Sequence, residues 1–148
     1  MKALCVKQPF AGLIAAGVKT IELRDWKTNY RGELLICASA AFHKGMENHY
    51  EYTNWNTIKA EPRVNALCNK LGQALVIVEL IDCRQTAFDD CEKACADALL
   101  SKYAWVMKFV RRIRPFKIKG QLNIFDIEFP NKNTKEEKFE EAEIVYEL

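Results

Sequence analysis

The sequence predicts an α+β domain: a small mixed or mainly antiparallel sheet of about five to six strands, curled into a barrel, with helices inserted between strands. Three observations carry that expectation. Stretches of two-fold apolar alternation or short apolar runs recur along the chain, and helical stretches interrupt them without strict strand–helix alternation. A chain of 148 residues with 49% hydrophobic content has the size of one domain and can bury about 68–70% of its unfolded surface.

The elements follow in order. Residues 2–7 (KALCVK) alternate as a short strand. Pro9 suits a first helical position, opening an apolar turn or two (FAGLIAA) that Gly17 closes. From Lys19 the period becomes two, with Ile21 and Leu23 on one face and Thr20, Glu22 and Arg24 on the other. NYRGE supplies a turn and LLICASA a buried strand. Residues 44–72 begin polar and aromatic, then read as a helix from Pro62 through Leu71, ended by Gly72. QALVIVELIDC is the most apolar strand. Asp89 and Asp90 precede a helix over CEKACADALLSK, where acidic groups suit the N-terminal dipole. WVMKFVRRIRPF and KGQLNIFDIEF read as two strands joined near Gly120, and the closing EIVYEL can pair at a sheet edge. Residues 1–130 thus form the domain, with 131–148 a charged tail.

Composition and charge bound the function. Lys7, Gln8 and Pro9 interrupt any signal-peptide core, and apolar runs such as QALVIVELI are too short for a membrane span, which predicts a cytoplasmic protein without a membrane partner. The six cysteines then read as reduced, mostly buried thiols. Cys91 and Cys95 share a helix face, but His43 and His49 lack the spacing to complete a zinc site, so no metal or cofactor is expected. The tail holds three lysines and six glutamates, net −3, whereas residues 1–130 carry net +5. Between Lys102 and Lys119 stand seven basic and no acidic residues, among them Arg111, Arg112 and Arg114. Such a stretch attracts phosphates, and equally it is what a solvated edge strand uses against aggregation.

QPFAGLIAAGVKTIELRDWKTNYRGELLICAS resembles the ASCH domain family, whose members share a G-x-K-x-x-E-x-R motif, here Gly17, Lys19, Glu22 and Arg24. The resemblance continues through VELIDC, YAWV and KGQLNIF and covers roughly residues 1–128. It implies a PUA-like β-barrel with a cleft beside the motif and an association with RNA. It also implies a possible activity, because some small members hydrolyse the amide of N4-acylated cytidine with a lysine, a threonine and a glutamate. Lys19 matches that lysine, Glu22 occupies the threonine position, and Thr20 is the nearest hydroxyl. The chain also departs from the family in having Cys37 before Ala38-Ser39 and Phe109-Val110 where Asn-Pro is frequent.

Amide hydrolysis needs an activated nucleophile and donors for the developing oxyanion. Lys19 would stabilise the acyl oxygen, Glu22 would act as general base, and Arg24 would orient the carboxylate or hold a phosphate through its planar fork. Trp26 and Trp105 are candidate stacking surfaces for a base, Gln8 and Ser39 candidate partners for its edge, and Arg111, Arg112 and Arg114 candidate phosphate contacts. The plain alternative is that Glu22 pairs with Lys19 or Arg24 and only fixes a corner of the fold. Three functions are therefore expected in order: an RNA- or modified-nucleotide-binding module, an amidohydrolase of acylated cytidine or a similar small amide, and a protein-interaction domain with a vestigial cleft and an unknown partner.

Overall fold

The computed structural model describes residues 1–42, 60–96 and 101–128, together with the backbone pairing of residues 140–141. In chain order the elements are β1 (Lys2–Gln8), α1 (Phe10–Ala15), β2 (Ile21–Arg24), β3 (Gly32–Phe42), α2 (Pro62–Cys68), β4 (Gln73–Gln85), α3 (Asp90–Ala94), β5 (Tyr103–Lys117), β6 (Ile124–Asp126) and β7 (Glu140–Glu141). The strands form one mixed sheet in the order β2-β5-β4-β3-β1-β6, with β7 pairing β5 off that path. β1 and β3 run parallel, and the other pairs are antiparallel. The α+β class and mixed sheet expected from the sequence are therefore observed.

Both sheet faces are covered, which is why LLICA in β3 is an unbroken apolar run rather than an alternating one. Leu34, Ile36, Val76, Val78, Trp105 and Met107 point to the face on which α1 packs. Leu35, Cys37 and Ile77 point to the other, where they meet Ile113 of β5 and Phe125 of β6. β5 and β6 are separated in the sheet by three strands, so their meeting in one cluster requires the sheet to roll. Three register shifts between β4 and β5 bend it in that sense. At the far edge, Arg24 of β2 reaches the Cys5 carbonyl of β1. Backbone pairing does not join β2 to β6 among the described residues, so the roll is closed there by side chains.

The boundaries differ from the sequence reading in three places. Pro9 is the cap before α1 rather than its first residue, and Gly17 turns the chain at φ +78°. α2 ends at Cys68, capped by Asn69, three residues before the expected Leu71. α3 is only five residues long because Cys95 adopts a left-handed conformation, φ 53°, which breaks the helix expected to run to Lys102. Residues 43–59, 97–100 and 129–139 and the EIVYEL segment lie outside the described residues, as do both histidines. All six cysteines are free thiols. No helix among the described residues is long and apolar enough to cross a membrane.

Candidate functional site

The Gly17–Arg24 segment is built so that its polar side chains end in one place. Ile21 and Leu23 pack on Ala94, Ala96, Ala104 and Val106, which turns Glu22 and Arg24 to the opposite side of β2. Lys19 is only 3% exposed and Glu22 7%. Burial of two such charges demands partners, and they have them. The Lys19 ammonium donates to the Ala94 carbonyl at the end of α3, stands 3.5 Å from Glu22 Oε1 and lies 5.0 Å above the Phe10 ring centroid. Glu22 Oε2 accepts from Arg24 Nη2 at 3.2 Å, and the same nitrogen donates to the Cys5 carbonyl at 2.7 Å. The result is a chain Lys19–Glu22–Arg24–Cys5 that crosses from β2 to β1. Arg24 Nε is buried with no hydrogen-bond partner among the described residues.

This chain lines a cleft of about 740 Å³ at the seam of the rolled sheet. Lys7, Phe10, Ser39 and the loop carrying Gly120, Gln121, Leu122 and Asn123 complete its walls, with Cys95, Ala96 and Ser101 at one end. Its ionisable lining comprises Lys7, Lys19 and Arg24 against Glu22, an excess of positive charge. The volume falls within the range, about 300–1,000 Å³, that small-molecule sites occupy.

Several candidates from the sequence are placed elsewhere. Gln8 is fully buried, with its amide donating to the carbonyls of Leu67 and Lys70 at 2.7 Å and its oxygen accepting from the Gly12 amide. It therefore has no group left for a base edge and instead ties β1 and α1 to α2. Trp105 is also fully buried, and its indole N–H donates to the Trp26 carbonyl while the two rings meet edge to face at 4.5 Å. A base cannot stack on Trp105 there. Trp26 is half-buried against the same core and does not line the cleft. Thr20 precedes β2 and is likewise absent from the lining, its backbone held by Lys93 and Met107. Arg111, Arg112 and Arg114 lie along β5 outside the cleft, with Arg111 paired to Glu33 at 3.4 Å and Arg114 exposed. Ser39 does line the cleft, although its hydroxyl also donates to the Ala41 carbonyl. Sequence reasoning overlooked Cys5, Lys7, Gln121 and Asn123. The last two stand in the KGQLNIF block, which was the available signal.

This seam, with a lysine, glutamate and arginine strung along one strand edge, is the feature to set beside known proteins. A family model for the ASCH domain matches residues 4–144. The chain belongs to the ASCH domain family. Activating signal cointegrator 1 of Homo sapiens is a curated relative, 28% identical over 127 residues, an alignment covering 84% of this chain. The chain spans only 22% of that relative's length, so the likeness concerns one ASCH domain within a longer protein. The Gly17, Lys19, Glu22 and Arg24 motif of this ASCH domain lies within the matched region.

Proposed function

We propose that this ASCH domain binds RNA or a modified nucleotide in the cleft at the sheet seam. The supporting observation is the Lys19–Glu22–Arg24 chain on the cleft wall, where Arg24 keeps a buried Nε donor without an acceptor. A buried donor left unpaired costs about 1–3 kcal/mol, and a phosphate or carbonyl oxygen brought by a ligand would recover it. In this reading Glu22 is a structural acceptor: held by Lys19 on one oxygen and Arg24 on the other, it aims the guanidinium. Lys7 adds charge at the mouth, Phe10 an apolar wall, and Ser39, Gln121 and Asn123 offer hydrogen bonds to a base.

The binding reading is favoured over amide hydrolysis for two reasons. The nearest hydroxyl, Thr20, is not on the cleft, and both Glu22 oxygens already face cations rather than a site for water. Titration of short single-stranded RNAs and modified nucleosides, with affinity followed against salt, tests the proposal. Arg24→Ala should weaken binding of every sequence alike and lower the slope of log affinity against log salt by about 1, as expected for one lost phosphate contact. Binding unchanged by Arg24→Ala and by Lys7→Ala would refute the cleft as the RNA site. Turnover of N4-acetylcytidine by the wild-type chain would reinstate the hydrolase.

A further inference from the structure

Cys5 and Cys37 face each other in register on the parallel strands β1 and β3. Their thiols are hydrogen-bonded to one another. The two differ in setting. Cys37 is completely buried, whereas Cys5 alone among the six cysteines is not buried, and it lines the cleft. A β-carbon added at Gly120 would stand 3.1 Å from Cys5 Sγ, so the 118–123 loop lies directly over the sulfur with only a glycine at closest approach. Arg24 is anchored on the carbonyl of the same residue.

We infer that Cys5 is an oxidation site for hydroperoxides reaching the cleft and that Cys37 resolves it to a Cys5–Cys37 disulfide. The inference is independent of what the cleft otherwise binds. In the first step the Cys5 thiolate attacks a peroxide oxygen: the O–O bond breaks, an S–O bond forms, sulfur is oxidised to sulfenic acid and hydroxide leaves as water after taking up a proton. In the second step Cys37 Sγ attacks Cys5 Sγ, the S–S bond forms, and the sulfenic hydroxyl leaves with the Cys37 proton as a second water. Two thiols and one peroxide thus give one disulfide and two waters. Adjacent strands stand about 4.8 Å apart, within the Cα separation of about 4.4–6.8 Å that a disulfide spans.

The local electrostatics assign the two roles. The Cys37 thiol donating to Cys5 is the largest influence on the Cys5 thiol, which is lowered to about 7 against the opposing effect of burial; the Gln121 backbone N–H and the Arg24 charge add to the lowering. Cys37 is pushed far up by donating its proton to Cys5, by burial and by the charge on Cys5. Two of those three causes vanish once Cys5 carries a hydroxyl instead of a charge, so oxidation of Cys5 itself releases Cys37 to attack. Elsewhere burial, reinforced by Cys95, pushes Cys68 up to about 12, and burial raises Cys95. Neither competes for peroxide.

The test treats the full chain with hydrogen peroxide, followed by intact mass and non-reducing peptide mapping. The wild type should lose two hydrogen masses and yield a Cys5–Cys37 cross-linked peptide, with Cys5 consumed about 10-fold faster than the buried thiols. In Cys37→Ser a dimedone-type probe should instead trap sulfenic acid at Cys5. If that variant does not fold, iodoacetamide labelling of wild-type Cys5 against pH replaces it, with a midpoint near 7 supporting the site and one near the ordinary thiol value of about 8.5 opposing it. Cys5 left reduced in the folded chain, or a bridge between any other pair, overturns the inference. So does equal dimedone capture at Cys5 in wild type and Cys37→Ser, because Cys37 would then resolve nothing.

Discussion

At the scale of single residues, Glu22 shows how a buried charge is tolerated. The Lys19 and Glu22 side chains are 2% and 9% exposed, a setting in which solvent neither screens the pair nor replaces a lost partner. Removing one member strands the other, at a cost of about 3–5 kcal/mol. Glu22→Ala should therefore lower the urea midpoint by about that much free energy without changing the m-value, while Glu22→Gln, which still accepts from Arg24, should lose less. Equal stability of Glu22→Ala and wild type would show that the pair does not hold the seam. Gln8 gives the opposite lesson about residue type. As a polar side chain in a motif-rich block it reads as a ligand contact, yet its three hydrogen bonds are all internal. Local sequence records that a residue is polar and leaves open which backbone groups the fold will bring to it.

At the scale of elements, α3 carries more than its five residues suggest. Its last carbonyl, Ala94, holds the Lys19 ammonium, and its first residue, Asp90, is gripped by Arg84 through two hydrogen bonds of 2.7 and 2.8 Å while also accepting from the Ala87 amide. The Arg84 guanidinium is the main cause holding the Asp90 carboxyl below its ordinary range, against the opposing effect of burial, with the Ala87 N–H assisting. A depressed folded value means that the stabilisation is complete above the unfolded value, near 3.8, and is lost as pH falls through the folded one. Asp90→Asn should thus cost about 1–3 kcal/mol at neutral pH, with the gap to wild type constant above about pH 5 and closing in acid, because protonated aspartate also loses its charge. Thermal melts across pH 2–7 measure it; a gap that widened in acid would contradict the assignment. The early stop of α3 shows where element prediction ended. The acidic N-terminus and the apolar pattern of residues 91–102 specify a helix, but the left-handed turn at Cys95 lets Ala96 pack against Ile21 and Leu23, a contact that no window of that helix contains.

At the scale of the molecule, charge is arranged across the sheet. β5 bears the arginines, and the short β7 pairs with it so that Glu141 and Glu140 stand in register with Arg111 and Arg112. The net −3 tail is therefore joined to the most basic strand of a net +5 body. Deleting residues 131–148 should raise affinity for a short RNA at low salt, and the difference should shrink as salt shortens the screening length from about 30 Å at 0.01 M to about 8 Å at 0.15 M. Affinity unaffected by the deletion at any salt would separate the tail from binding.

By itself the sequence determined the class of fold, the order of most elements and the motif that marks the seam, because apolar period, glycine placement and charge runs act over a few residues. The three-dimensional structure alone decided that Trp105 is core, that Gln8 is a brace, that Thr20 misses the cleft and that Cys5 and Gln121 meet on its wall. Side-chain period states which face of a strand a residue occupies; it does not state which strand lies alongside, and burial depends on neighbours more than a hundred positions away. The seam exists only once β2, β1 and the 118–123 loop have been rolled together, so its lining could be read only from the rolled sheet.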